Sequence, residues 1–136
     1  MGFHKPVGVT QKDMPHFVAR EQRELVAEAI GPFLEEDECY VTHGIYNTKD
    51  KFISVTQNQS LGRLIVTNRR LIFWPDHFKQ PHLAIDFESI YDWEVARVFN
   101  SRGIFFFVEN QRYMFGTHKT AAAVIIELLG PDKKRG

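Results

Sequence analysis

The segment from Gly62 to Trp74 constrains the fold most, because two apolar runs flank a short polar pair at the spacing of a β-hairpin. With Asn68 and Arg69 at the centre of the turn, the two runs pair in antiparallel register. The predicted pairs are Thr67 with Arg70, Val66 with Leu71, Ile65 with Ile72, Leu64 with Phe73 and Arg63 with Trp74. The last pair predicts a contact between the Arg63 guanidinium and the Trp74 ring, worth about 1 kcal/mol.

Short segments of alternating or β-branched residues surround this hairpin and predict further strands. The strands are expected near Tyr40–Tyr46, Lys51–Gln57, Leu61–Thr67, Arg70–Trp74, Leu83–Phe87, Ile90–Ala96, Gly103–Val108 and Arg112–Gly116. The clearest alternation sets Tyr91, Trp93 and Val95 on a buried face against Asp92 and Glu94. Consecutive short strands without intervening helices predict a mainly β chain whose antiparallel sheet curls on itself.

An amphipathic helix is predicted on each side of the strands. The first begins near Asp13 and ends at Gly31, and the second begins at Thr117 as its cap and ends at Gly130. Their apolar stripes are Val18, Leu25, Val26, Ala29 and Ile30 in the first helix and Ala121, Val124, Ile125, Leu128 and Leu129 in the second. The stripe of the first helix faces either the sheet or a partner.

The segment from Gly62 to Phe73 resembles the G-x-L-x-x-T-n-x-R-L-x-F signature of bacterial pleckstrin-homology-like and GRAM-type domains. The order of strands followed by one amphipathic helix is similar to that of the same superfamily. The resemblance covers residues 35–130 and implies an antiparallel curled barrel or sandwich of about seven or eight strands, closed by the C-terminal helix. Residues 13–34 are then an extra N-terminal helix, residues 1–12 a flexible lead-in and residues 131–136 a basic tail.

Charge and composition exclude several classes of protein. The chain of 136 residues carries 17 basic and 17 acidic side chains, so it lacks the positive field that binding to nucleic acid requires. No apolar run approaches the ~20 residues of a transmembrane helix. The single cysteine, Cys39, cannot form an intramolecular disulfide. We therefore expect a cytoplasmic protein without a transmembrane segment.

The motifs of common enzyme classes do not occur in the sequence, which contains no Gly-rich phosphate loop, G-x-S-x-G elbow or H-E-x-x-H pair. His77 and His82 fit no zinc spacing, and His43 is expected to be a hydrogen-bonded core residue. No catalytic residue, metal site or cofactor is predicted, and the resemblance implies a non-catalytic binding module.

Two surfaces are candidates for binding. The first is a basic cluster that would recognise a small anionic ligand, such as a lipid headgroup or a nucleotide phosphate. Its residues are Lys49, Lys51, Arg63, Arg69 and Arg70. Lipid-binding relatives carry more cations in the first loop, where this chain has only Lys49 and Lys51 around Asp50. The acidic run from Glu35 to Glu38 is either a solvated loop or a cover for a basic patch.

The second surface lies on a predicted hairpin that is apolar on both faces. With Asn110 and Gln111 as the turn, Phe106 faces Phe115 and Glu109 faces Arg112. The opposite face carries Phe105, Phe107 and Met114. A helix covers that face, or it is an interface with a protein partner or with a second copy of the chain. Protein contact or self-association is the function expected from the sequence, and binding of a small anionic ligand is the alternative.

Overall fold

The computed structural model of the chain describes residues 20–54 and 60–135, which form a mainly β structure with a helix at each end. The elements are helix α1 (Arg20–Ile30), strands β1 (Tyr40–Asn47), β2 (Leu61–Thr67), β3 (Arg70–Pro75), β4 (Leu83–Asp86), β5 (Ile90–Val98), β6 (Ser101–Val108) and β7 (Gln111–His118), and helix α2 (Lys119–Leu129). Both expected helices and the mainly β class are thus confirmed. None of the helices in the described residues has the length and apolar character to cross a lipid bilayer.

The seven strands form one antiparallel sheet in the order β4-β3-β2-β1-β7-β6-β5. β4 and β5 are the edges, so the sheet is open where the sequence predicts one that curls on itself. β4 contains only four residues, and the 3-10 turn Phe87–Ser89 follows it directly. The chain therefore turns away from β4 before β5 begins, and β5 pairs with β6 instead.

The strand predicted near Lys51–Gln57 is wrong for its first residues, which form a turn, and its last residues lie outside the described part of the chain. Asp50 organises the turn. Its carboxylate accepts a hydrogen bond from Phe52 N–H at 2.8 Å, and its carbonyl accepts one from Ser54 N–H at 2.9 Å. The lead-in of residues 1–12 and the helix start predicted at Asp13 also lie outside the described residues.

The β2–β3 hairpin has the register that the sequence predicts, from Arg63 opposite Trp74 to Val66 opposite Leu71. Thr67 closes the turn, because its hydroxyl oxygen accepts hydrogen bonds from the N–H groups of Arg69 at 3.1 Å and Arg70 at 2.8 Å. A side-chain oxygen that binds the following amides stabilises a tight turn.

Gly62, the first residue of the hairpin motif, is required by the close approach of β1. A Cβ atom at this position would lie 2.6 Å from the Trp74 carbonyl oxygen and 2.7 Å from the ring of Tyr46. Both distances are far below van der Waals contact, so only glycine fits. The motif glycine therefore makes room for the buried Tyr46 ring, which packs edge-on against Phe73 at 5.1 Å between ring centroids.

The predicted turn of the β6–β7 hairpin is one residue too late, so the pairing differs by two residues: Phe106 pairs with Tyr113 and not with Phe115. Glu109 and Asn110 form the turn, with Glu109 at φ 56°, and Val108 pairs with Gln111. Glu109 takes the positive φ that a two-residue hairpin turn requires at its first central position. Because both strands shift together, the division into two faces is preserved: Phe106 remains in the core, and Phe105 opposite Met114 is on the other side.

β5 departs from the predicted alternation because it contains a bulge. The register shifts between Tyr91 and Glu94, and Asp92 takes a positive φ of 52°. An extra residue in one strand rotates the side chains that precede it. Trp93 is buried as predicted, whereas Tyr91 is turned outward and stacks on Phe107 at 5.8 Å between ring centroids.

One face of the sheet and helix α2 enclose the main core. The buried residues of this core are Tyr46, Ile53, Leu64, Val66, Leu71, Phe73, Ile85, Phe87, Ile90, Trp93, Ile104, Phe106, Phe115, Ala122, Ile125 and Leu129. α2 approaches β1 closely because Gly44 has no side chain: a Cβ there would lie 3.3 Å from the Cβ of Ala121. The predicted cap is wrong, since Thr117 belongs to β7 and donates to the Ile45 carbonyl, while His118 caps the helix.

Helix α1 covers the other face of β1, β2 and β3. Val26 and Ile30 pack on Ile65 and Ile72 in a second buried cluster, which half-buried Leu34, Tyr40 and Trp74 extend. Full burial of such an aliphatic side chain contributes roughly 1.5–3 kcal/mol. The contact is narrower than the predicted stripe, because Leu25 is 67% exposed and Ala29 is also exposed. The sheet therefore has a helix on each face: both helices contact β1, while α1 extends over β2 and β3 and α2 extends over β6 and β7.

Candidate functional site

Arg70, a candidate anion ligand, is already bound by a carboxylate of the chain itself. Its guanidinium donates to both oxygens of Glu38, from Nε at 2.8 Å and from Nη2 at 2.7 Å, and Nη2 also donates to the Phe33 carbonyl at 2.9 Å. The side chains are 14% and 0% exposed. Burial raises the pKa of Glu38, but hydrogen bonds from Arg70, from the Glu35 N–H and from Thr67 lower it to about 2. We call the Glu38–Arg70 pair the clasp.

Arg69 lies beside the clasp and also faces the acidic run. Its guanidinium is 3.6 Å from the Glu35 carboxylate and donates to the Glu36 carbonyl at 3.4 Å. Asn68 ties the same run to the turn, since its side chain accepts from Cys39 N–H at 2.8 Å and donates to the Asp37 carbonyl at 3.1 Å. Of the two alternatives for the acidic run, the structure forms the second, a cover over the basic β2–β3 turn.

Lys49 and Lys51 are exposed and lie in the turn that follows β1. Polar residues of this turn bind the backbone of β7: Thr48 Oγ1 donates to the Met114 carbonyl at 2.6 Å, and Met114 N–H donates to the Asp50 carboxylate at 2.9 Å. These bonds replace strand pairing, because β1 and β7 pair at only two positions. The two lysines therefore stand on a turn fixed to β7, away from the clasp.

Arg63 lies on the face of β2 that α1 covers, near Tyr40 and His43. The Tyr40 hydroxyl and His43 Nδ1 are 2.6 Å apart in a hydrogen bond, which confirms His43 as a hydrogen-bonded buried residue. Burial, with smaller contributions from Arg63 and Arg23, lowers the pKa of His43 to about 4. The predicted stacking of Arg63 on Trp74 is wrong. Among the described residues, Arg23 instead lies over a ring, that of Tyr40, at 4.9 Å.

The five basic candidates therefore do not converge on one site. Arg63 lies four residue steps before the end of β2 at Thr67, roughly 13 Å along the strand from the turn that carries Arg69. Arg69 and Arg70 contact the acidic run, and Lys49 and Lys51 lie on a turn fixed to β7.

Phe105, Phe107 and Met114 share the outward face of β6 and β7, as predicted. Together with residues of β5 they form a surface that we call the aromatic face: Tyr91, Val98, Phe105, Phe107 and Met114. Neither helix of the described residues packs on it, since α1 lies on β1–β3 and α2 lies on the core side. The Arg112 guanidinium covers part of it, 4.8 Å from the centre of the Phe105 ring.

Phe99 stands at one end of the aromatic face and was not predicted from the sequence. It is 98% exposed at the tip of the β5–β6 hairpin, at φ 48°. Arg102 Nη1 donates to the Phe99 carbonyl at 3.0 Å, and Lys119 N–H donates to the Asn100 carbonyl at 3.1 Å. The sequence feature that could have indicated an exposed Phe99 was the apolar pair Val98-Phe99 directly before the turn residue Asn100. The sequence predicts strands that end near Ala96 and begin again near Gly103, whereas β5 continues to Val98 and β6 begins at Ser101.

Comparison with solved structures identifies the fold. No protein-family model matches the chain, and none of the curated proteins matches it. A DUF1696 family protein with a pleckstrin-homology domain from Shewanella loihica aligns with a TM-score of 0.50 and 17% identity, over 78% of this chain and 91% of that one. The C-terminal domain of an unknown protein from Leishmania infantum aligns with a TM-score of 0.54 and 13% identity, over 79% and 97%. With seven antiparallel strands and a C-terminal helix, this chain has a pleckstrin-homology-like fold.

Proposed function

We propose that this chain is a non-catalytic binding module that acts by protein contact, and that it associates with a second copy of itself through the aromatic face. The observation that carries the proposal is the apolar surface of β5, β6 and β7, which has no helix over it within the described residues. Contiguous apolar surface of this kind marks interaction sites. The resemblance of Gly62–Phe73 to pleckstrin-homology-like and GRAM-type signatures supports a binding role, and we propose that the chain performs it in the cytoplasm.

The residue types on the aromatic face fit a protein partner. Aromatic residues, Met and Arg are enriched at the centres of protein interfaces, and Phe105, Met114 and Arg112 lie together here. Phe99 supports the same conclusion, because a bulky residue at positive φ is strained and such strain persists where function requires it.

The charges on the same face fit a second copy. Glu94 pairs with Phe105 across β5 and β6, and Arg112 lies over the same ring from the β7 side. The Glu94 carboxylate also lies 3.5 Å from Arg135 of the same chain, in an exposed ion pair that is worth little in water. A two-fold axis through this face would relate the two copies so that the acidic side of one faces the basic side of the other. Glu94 of each copy would then lie near Arg112 of the other copy.

The test is the solution mass by light scattering across a wide concentration range, for the wild type and three variants. We expect the wild type to rise from the 15.8 kDa monomer toward a dimer. Phe105→Glu and Phe99→Ser should remain monomeric, whereas Leu25→Ser, a control at an exposed apolar residue of α1, should associate like the wild type. Phe99→Ser changes a side chain without core contacts, so it tests the proposal even if Phe105→Glu fails to fold. A wild type that stays monomeric throughout would contradict self-association.

A further inference from the structure

A cleft of about 380 Å³ opens between α1 and the β2–β3 hairpin, on the opposite half of the sheet from the aromatic face. Its size is within the range of small-molecule sites. The lining includes Val26 and Ala29 of α1, Ile65 and Trp74 of the hairpin, and Asp76, His77 and Phe78 of the segment after β3. The lining of the cleft is therefore partly apolar and partly charged, and we call Trp74 with Phe78 its aromatic wall.

The aromatic wall is held rigidly before any ligand binds. The Trp74 indole N–H donates to the Phe78 carbonyl at 2.7 Å, and Phe78 N–H donates to the Pro75 carbonyl at 3.2 Å. The ring of Phe33 packs edge-on against the Trp74 ring, with 5.7 Å between centroids. A wall fixed by hydrogen bonds and ring packing loses little conformational freedom when a ligand binds.

Arg63 supplies a positive charge at this cleft. Among the described residues, none of the ion pairs includes Arg63, whereas Arg69 and Arg70 face carboxylates. Arg23 is not part of the lining, and its guanidinium lies over the Tyr40 ring at 4.9 Å. Asp76 also lines the cleft, and its carboxylate disfavours ligands with several negative charges.

We propose that this cleft binds a small amphipathic carboxylate, with its carboxylate on Arg63 and its apolar or aromatic body against Trp74 and Ile65. A guanidinium binds a carboxylate through two parallel hydrogen bonds, and a planar ring stacks favourably on an indole. A ligand with a single negative charge suits this cleft, because the Arg63 guanidinium has no ion-pair partner among the described residues and the Asp76 carboxylate would repel further negative charge. The cleft and the aromatic face lie on different halves of the sheet, so this site does not depend on self-association.

The test is a titration of the ¹⁵N-labelled protein with 4-phenylbutyrate, followed by two-dimensional NMR. The chain has two tryptophans, which give one indole signal each. Trp74 lines the cleft, while Trp93 lies in the main core with its indole N–H on the Gly130 carbonyl, so Trp93 is an internal control. We expect a saturable shift of the Trp74 signal, with a Kd on the order of 1 mM or below, and no shift of Trp93.

Protein variants and an uncharged ligand analogue test whether binding occurs in this cleft. Arg63→Gln should weaken binding of 4-phenylbutyrate about tenfold or more, because it removes a charge-assisted contact. The uncharged 4-phenylbutanamide should bind the wild type as weakly as 4-phenylbutyrate binds Arg63→Gln. Arg97→Gln, a matched change at an exposed arginine of β5, should leave binding unchanged. Ala29→Leu, which fills the cleft from the helix side, should abolish the Trp74 shift. The proposal is overturned if the wild type gives no saturable shift, if Trp93 shifts equally, or if Arg63→Gln and Ala29→Leu bind as the wild type does.

Discussion

The two halves of the sheet use the face opposite the main core in different ways. On β1, β2 and β3, helix α1 covers this face, and Val26 and Ile30 are buried against Ile65 and Ile72. On β5, β6 and β7 the corresponding face carries Phe105 and other large apolar side chains, and among the described elements no helix lies over it. One half therefore gains stability from its second face, and the other half carries on that face the surface that we propose for self-association.

The covered half is also the half with buried charge. The clasp ties the segment after α1 to the β2–β3 turn, and buried His43 is hydrogen-bonded to Tyr40 on β1. The open half has a single ion pair among its described residues, between exposed Glu94 and Arg135 at 3.5 Å. Changes in the covered half should therefore alter stability, whereas changes in the open half should alter association.

The largest loss of stability is expected for Glu38→Ala, because the change leaves Arg70 without its buried partner. Breaking one side of a buried ion pair costs about 3–5 kcal/mol. Urea unfolding measures this cost. Glu36→Ala is the matched control, since the Glu36 side chain is exposed and only its carbonyl contacts Arg69, and it should change stability by less than about 0.5 kcal/mol. Equal losses in the two variants would show that the clasp does not hold the covered half.

A smaller loss is expected for Ile30→Ala, which removes a fully buried side chain from the contact between α1 and the sheet. Such a truncation costs about 3 kcal/mol through lost burial and the cavity left behind. Leu25→Ala on the same helix should cost less than about 0.5 kcal/mol because Leu25 is exposed. If the two variants unfold at the same urea concentration, α1 does not cover the sheet in solution.

Acid should destabilise the chain through His43. Its pKa falls from 6.5 to about 4 in the folded state, so between these pH values the unfolded chain binds a proton that the folded chain does not. The free energy of unfolding should therefore fall by about 1–3 kcal/mol as the pH drops from 6.5 to 4. Below pH 4.5, Glu38 adds a loss of the same sign, because its folded pKa is about 2.

Urea unfolding at pH 7 and pH 5 tests this dependence. His43→Gln should reduce the difference between the two conditions. His82→Gln, a change at an exposed histidine, should leave the difference as in the wild type. A wild-type stability that is the same at both values would contradict a neutral buried His43.

The smallest effect on stability is expected for Phe99→Asn, which should stabilise the chain where the preceding variants destabilise it. Asn tolerates positive φ better than Phe does, so this variant should gain about 1 kcal/mol or less in free energy of unfolding. The same change removes the exposed ring at the end of the aromatic face and should weaken self-association. Thermal unfolding and light scattering together check both parts. A variant that is less stable than the wild type would show that the Phe99 ring has a structural role.

The sequence predicted the elements whose determinants are local. The Thr67–Arg70 turn and the apolar runs beside it fix the β2–β3 register, so those pairs were predicted correctly. Alternation placed Phe106 in the core and Phe105 on the opposite face even though the turn was wrong by one residue, because alternation is insensitive to a symmetric shift of both strands.

The sequence did not predict the features that depend on distant contacts or on backbone irregularity. Glu38 and Arg70 are 32 residues apart, and only the folded sheet brings them together. The bulge at Asp92 turned Tyr91 outward against the alternation, because no local pattern marks an inserted residue. The exposure of Leu25 has the same kind of cause, since the sheet contacts a narrower strip of α1 than the apolar stripe suggests.

The open aromatic face is the central claim, and hydroxyl-radical footprinting with mass spectrometry tests it most directly. The protein is labelled at a concentration where light scattering finds the monomer and again where the mass has risen. We predict that Phe99 and Met114 are labelled in the dilute sample and protected in the concentrated one, while exposed Leu25 on α1 is labelled equally in both. Equal labelling of Phe99 and Met114 at the two concentrations would contradict the claim that the aromatic face is the contact surface.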